Sequence, residues 1–254
     1  MTMAHAAEAQ APVVTALHRA APETKLVALL VFVVAVALVP HGAVLPYAVD
    51  LAVVLALAAW ARAGVGFLAQ RLVVEIPFIL FVLLLPFVTG GPDVHLAGVA
   101  LSEDGLWTAF GIVSKATLAV LATGVLAATT TAPEIIGGLE RLRVPRTITA
   151  VAGFAIRYVQ VVLEEMRRLQ QARVARGDDP RWLWQARTVT RTAGAVAVRC
   201  FERGERVHGA MLARGYTGRM PETGLAVAAR PAAWAAALAF ALPAVVLTST
   251  AAFA

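Results

Sequence analysis

The sequence predicts an all-α membrane protein: about five transmembrane helices, with a cytoplasmic domain of long amphipathic helices inserted before the last span. Three observations carry that prediction. The 254 residues are 59% hydrophobic, with a mean hydropathy of +0.75, far from an ordinary soluble domain. The apolar residues come in runs separated by short polar links. The charge is concentrated: residues 131–230 hold 17 of the 22 Lys and Arg against nine of the 16 Asp and Glu, a formal net +8 where the whole chain carries +6.

Residues 1–25 read as a polar, Ala-rich cytoplasmic segment. They lack a continuous apolar stretch preceded by basic residues, so a cleaved signal peptide is not expected. Residues 26–130 hold four apolar segments. Leu26–Val39, at 14 residues, needs its flanks to cross the membrane, because a hydrocarbon core of roughly 30 Å takes about 20 helical residues. Ala43–Trp60 contains Pro46 and Asp50, and Leu72–Val88 contains Glu75, Pro77 and Pro86. Leu106–Ala128 is long and carries Lys115. The fifth span, residues 231–254, bears no charge.

The links orient these spans. Arg19 and Lys25 flank the first span, Pro40-His41-Gly42 has no Lys or Arg, and Arg62 and Arg71 lie in the second link. The third link, Thr89–Gly105, has three acidic residues and no basic one. The basic block follows the fourth span. Basic and non-basic links alternate without conflict, which places the N-terminus and the basic block in the cytoplasm and the C-terminus outside.

Residues 131–230 carry helical periodicity. A first short helix spans Pro133–Leu142, opened by Thr131 and closed before Pro145. Val159, Val162, Met166 and Leu169 form one stripe; Ala193, Val196, Cys200, Val207 and Met211 form another. Glu164–Arg168 and Glu202–Arg206 are i,i+4 pairs that support each helix. The two long helices stop at Gly177 and Gly215, glycine being common just past a helix end. Asp178-Asp179-Pro180 and Pro221 then turn the chain.

Each long helix thus closes on one tripeptide, Ala175-Arg176-Gly177 or Ala213-Arg214-Gly215, 38 residues apart. A helix C-terminus gathers unpaired carbonyls and partial negative charge, which stabilises an Arg locally. Its planar fork can still reach outward and grip a carboxylate with two hydrogen bonds, as Lys cannot. The glycine allows a left-handed turn, and the small alanine lets a partner approach. One such motif is explained by the helix dipole alone. Two, each ending an amphipathic helix in one basic block beside a membrane, point to a pair of pegs for an acidic partner.

These residues resemble the transmembrane T component of energy-coupling factor (ECF) transporters, a class of ABC-type importers. The family's mark is a pair of Ala-Arg-Gly motifs ending two coupling helices, matched at 175–177 and 213–215. Leu139-Glu140-Arg141-Leu142-Arg143-Val144-Pro145, Phe154 with Arg157-Tyr158, and the run from Arg199 to Gly218 are similar to the family as well. Leu17-His18-Arg19, Lys25-Leu26, Glu75-Ile76-Pro77-Phe78 and Leu84-Leu85-Pro86-Phe87 look like its cobalt-type (CbiQ-like) branch. The resemblance covers nearly the whole chain after about residue 15. It implies a non-catalytic coupling subunit. Arg176 and Arg214 would dock on two ABC ATPase subunits, and ATP-driven motion would pass to a separate substrate-binding membrane subunit, most simply for cobalt(II).

Other chemistry finds little support. No Walker-type Gly-x-x-x-x-Gly-Lys-[Ser/Thr] occurs, so ATP is expected on partner subunits and this chain is expected to hold no cofactor. His5, His18, His41, His95 and His208 are scattered and Cys200 is the only cysteine, so no metal site is expected. Ser114, Ser249 and Thr129-Thr130-Thr131 lack a base and acid for nucleophilic catalysis. The Arg residues alternate with Glu around helices, and the positive-inside bias explains them without nucleic acid; Trp182 and Trp184 read as packing or interfacial aromatics. Nickel or a vitamin remains an alternative substrate. An autonomous membrane enzyme or channel would have to be built on Asp50, Glu75 and Lys115 alone.

Those intramembrane charges carry a functional expectation by default. Asp50 and Lys115 lie at similar depth from the outer side, roughly 10–12 Å at 1.5 Å per residue. Either they face each other or share a polar cavity, or both snorkel outward. Glu75 is expected at the cytoplasmic interface, or paired with Arg71 at i,i+4.

Overall fold

The computed structural model describes residues 15–40, 42–90, 92–96, 99–177, 186–218 and 231–253. The chain divides into two units, Met1–Gly138 with Ala226–Ala254, and Leu139–Leu225. The division falls within the helix Ala132–Arg141.

In the first unit, α1 (Ala16–Arg19) is a single turn closed by reciprocal contacts between Thr15 and His18. α2 (Pro22–Leu38) opens on proline, whose missing N–H costs nothing at a helix start, and ends before Pro40. α3 (Val44–Trp60) closes with Arg62 in the left-handed region at φ 52°. The Ala63 N–H donates to the Ala58 carbonyl at 3.0 Å and the Arg62 N–H to Ala59 at 3.0 Å, a Schellman closure without glycine.

The third apolar segment differs from the single span expected over Leu72–Val88. It starts earlier and breaks into α4 (Val65–Val73), α5 (Ile76–Val82) and α6 (Leu85–Val88). Pro77 and Pro86 stand in the first turns of α5 and α6, where they withhold the N–H that would continue the preceding helix. Val65–Val73 and Ile76–Phe87 meet at a 49° bend. Arg71, expected in a link, is therefore helical.

The link that follows contains a hairpin. β1 (Asp93–Leu96) pairs antiparallel with β2 (Val99–Ser102), with Asp93 opposite Ser102. The polar–apolar alternation of Asp93-Val94-His95-Leu96 is its period-two signal. Ser102 then caps α7 (Glu103–Thr129), accepting the Gly105 N–H at 3.2 Å. Glu103 and Asp104 complement the positive end of the helix. α8 (Ala132–Arg141) starts with the Thr131 N–H donating to the Glu134 carboxylate at 2.7 Å, half of a capping box.

α9 (Arg146–Ala175) and α10 (Ala186–Ala213) are the helices of the second unit. α11 (Pro231–Phe253) returns to the first. There, α7 packs on α2, α3 and α4, and α11 packs on α2 and α3. Phe32, Val36, Val54, Leu118, Leu121 and Ala244 meet at the centre. Small residues let the helices approach, as expected where lipid removes the drive to bury apolar surface. A Cβ on Gly124 would stand 3.0 Å from the Leu68 side chain.

By length and composition, Glu103–Thr129 and Arg146–Ala175 can each cross a membrane, and the bent pair makes a third. α2 and α3 have 17 residues each, about 25 Å of helix. Length alone thus gives two to three spans among the described residues, fewer than the five expected. α9, expected as an amphipathic cytoplasmic helix, passes the same test, because its first half carries only Arg146 and Arg157. His5, His41, Asp178–Pro180, Trp182, Trp184 and Pro221 lie outside the described residues.

Candidate functional site

Both Ala-Arg-Gly motifs stand at the ends of the second unit's helices. Ala175 and Ala213 are the last helical residues; Arg176 is the C-cap of α9, and Arg214 directly follows α10. Gly177 and Gly215 adopt φ 78° and 82°, a conformation that an L side chain enters at about 1–2 kcal/mol. At the second motif, the Gly215 N–H donates to Leu212 at 2.9 Å and the Tyr216 N–H to Met211 at 3.0 Å. At the first, the Gly177 N–H donates to Val174 at 3.0 Å. These bonds satisfy carbonyls that the helices leave over and turn the chain away.

All six motif residues are exposed, and a Cβ at either glycine would meet nothing within 4 Å. Space therefore does not demand glycine at these positions; backbone conformation does. Neither the Arg176 nor the Arg214 guanidinium has a partner among the described residues, unlike three arginines on the helix flanks. Arg168–Glu164 and Arg206–Glu202 form the expected pairs at 3.9 Å. Arg199 reaches across to Glu165 and ties α10 to α9. Val196 is buried, with Cys200, Val207 and Met211 half-buried along the same stripe. A shallow hollow lined by Arg167, Gln170, Gln171, Val174 and Ala175 opens beside the first motif.

The intramembrane charges are arranged differently from expectation. Asp50 and Lys115 form no ion pair. Asp50 is 1% exposed, and neither carboxylate oxygen has a hydrogen-bond partner among the described residues. Lys115 donates instead to the Ala37 carbonyl at 2.9 Å. That carbonyl lies in the last turn of α2, where no intrahelical donor is available and the dipole attracts a cation. Glu75 does not pair with Arg71. It is buried and accepts from the Thr117 hydroxyl at 3.0 Å, while Arg71 lies 4.6 Å over the Phe67 ring. The turn between α4 and α5 points Glu75 inward, so the i,i+4 geometry of one continuous helix no longer applies. No group of three or more His, Cys, Asp or Glu is placed to hold a metal ion among the described residues.

Sequence reasoning missed Lys25. Its ammonium donates to the carbonyls of Thr129 at 3.0 Å and His18 at 3.3 Å and to the Thr130 hydroxyl at 3.2 Å. Lys25 and Lys115 are the only lysines in the chain. Each caps the C-terminus of the helix that carries the other.

A family model described as cobalt transport protein, CbiQ, matches residues 14–224. The chain belongs to that family. The match takes in both Ala-Arg-Gly motifs and the whole of α9 and α10, and ends before α11. A cobalt transport protein CbiQ of Rhodobacter capsulatus is 31% identical over 144 residues, 56% of this chain and 56% of that protein; the chain thus spans little more than half of that relative. Energy-coupling factor transporter transmembrane proteins, EcfT, of Brevibacillus brevis and Bacillus subtilis are each 28% identical, over 223 and 225 residues, or 82% of this chain and 83% of theirs. Membership makes the chain a transporter membrane component of the CbiQ/EcfT group, which its apolar helices fit.

Proposed function

We propose that the protein is the non-catalytic coupling subunit of an ECF-type importer. Arg176 and Arg214 each dock on one of two ABC ATPase subunits, and ATP-driven motion of the ATPases passes through α9 and α10 to a separate substrate-binding membrane subunit. The second unit faces the cytoplasm with the N-terminus, and the C-terminus lies outside. The carrying observation is the pair of exposed guanidiniums without a partner among the described residues, each directly after the last helical residue of one of the unit's two long helices. A peg so placed keeps its charge and its two-pronged donor geometry for a carboxylate outside the chain.

Cobalt(II) is the substrate that the family description favours. A second reading, a T component serving nickel or a vitamin, draws on the EcfT relatives, which match over four-fifths of the chain. Co-expression with the neighbouring ATPase and substrate-binding genes tests the reading. Wild type is expected to retain the ATPases through purification and to support ATP-dependent cobalt(II) uptake. Arg176→Glu/Arg214→Glu is expected to lose both. ATPase capture that is equal in the two proteins, or absent from both, contradicts it; nickel or vitamin uptake in place of cobalt selects the second reading.

A further inference from the structure

α8 begins in one unit and ends in the other, because the boundary falls between Gly138 and Leu139. Two independent contacts hold this region to α2, one at the α7–α8 junction and one on α8 itself. One is Lys25, in the first turn of α2. An ammonium has three donors, and Lys25 has three acceptors around it, one being the Thr129 carbonyl that α7 leaves unpaired at its end. Thr129 and Thr130 are both buried. Glu134, in the first turn of α8, adds an electrostatic attraction to the same ammonium.

The other contact is Gly138. A Cβ there would lie 3.0 Å from Leu26 Cδ1, 3.1 Å from the Glu23 nitrogen and 3.2 Å from the Pro22 carbonyl carbon. Two of those atoms belong to backbone, which cannot swing aside as a side chain does. Gly137, one residue earlier, faces open space. Beyond the boundary, α8 ends in a left-handed turn at Arg143, φ 63°, with the Val144 N–H bonded to Leu139 at 3.1 Å.

We propose that Lys25 is a positioning residue for energy coupling. With Gly138 it clamps the α7–α8 junction and the start of α8 onto α2, so that displacement of the second unit is delivered to α2 and α7 instead of being absorbed in residues 130–138. This rests on the coupling role proposed above. It assigns the lysine a mechanical task that an Ala-Arg-Gly peg cannot perform: holding the fixed end of the lever.

The test uses the full chain assembled with its ATPases and substrate-binding subunit in lipid. Lys25→Met and Gly138→Ala are compared with Lys25→Arg and Gly137→Ala. The readouts are ATPase co-purification, ATP hydrolysis, uptake per ATP hydrolysed, and amide hydrogen exchange over residues 130–138. Lys25→Met and Gly138→Ala are expected to keep the ATPases bound and hydrolysing, to lose about tenfold in uptake per ATP, and to exchange about tenfold faster over 130–138. Lys25→Arg is expected to recover most of the loss, and Gly137→Ala to behave as wild type. If Lys25→Met fails to assemble, Lys25→Gln and Gly138→Ala carry the same readouts. Unchanged uptake per ATP in the clamp variants, or unchanged exchange over 130–138, overturns the clamp. Survival of ATPase binding in Arg176→Glu/Arg214→Glu overturns the docking reading beneath it, and the two failures are read from different variants.

Discussion

The two units handle charge in opposite ways. In the first, the few interior charges are committed to the fold or hidden: Lys25 and Lys115 cap helix ends, Glu75 accepts from Thr117, and Asp50 is buried. In the second, arginines crowd the surface. Three on the helix flanks, Arg168, Arg199 and Arg206, find glutamates on their own or the neighbouring helix, and the two at the helix ends find none among the described residues. A charge used for internal order is satisfied where it stands. On the proposed docking role, the helix-end arginines keep their charge for a partner, and a helix end followed by a left-handed glycine holds them apart from their neighbours.

The contrast can be broken at several points. The largest effect is expected from Arg176→Glu/Arg214→Glu. On the proposed docking, each reversal sets like charges against each other and costs about 2–5 kcal/mol of binding, with the chain's own melting unchanged. A melting loss as large as the binding loss would make these arginines structural. Next is Phe32→Ala, at the centre of the first unit and fully buried; a cavity there is expected to cost about 3–5 kcal/mol in a detergent denaturation series, with ATPase capture retained after refolding. Asp50→Asn removes a buried, unpartnered charge and is expected to raise stability by about 1–3 kcal/mol. A loss would show that Asp50 has a partner in another state of the cycle. Gly215→Ala keeps the space but strains the turn, at about 1–2 kcal/mol, and is expected to weaken ATPase capture more than it lowers the melting temperature. Smallest is Glu164→Gln, which breaks an exposed pair worth about 0.3–0.5 kcal/mol and should leave transport unchanged.

The sequence was legible where signals are local. Gly177 and Gly215 mark helix ends because a left-handed residue follows from a few neighbouring dihedrals, and Glu164–Arg168 lies within one turn. The hairpin at Asp93–Ser102 escaped the sequence reading, because its short alternation lies in a link between long apolar runs. What also escaped is azimuth and long-range partnership. Depth along a helix can be counted, so Asp50 and Lys115 could be placed at one level, but the direction each side chain faces depends on how α2, α3 and α7 pack. Lys115 met the end of α2 before it met Asp50. Lys25 finds Thr129 more than a hundred residues away, and Gly138 is distinguished from Gly137 only by the helix against it. The break at Pro77 moved Glu75 off the face that i,i+4 spacing assigns it.

In the proposed complex the helix-end arginines, and not the basic surface at large, meet the ATPases. Site-specific photo-crosslinking in the assembled complex tests it most directly, with the photoreactive residue placed at 176, 214, 168 or 206. Crosslinks to an ATPase subunit are expected from 176 and from 214, with only background from the flank positions 168 and 206. Equal crosslinking from all four, or crosslinks from 168 and 206 alone, would contradict it.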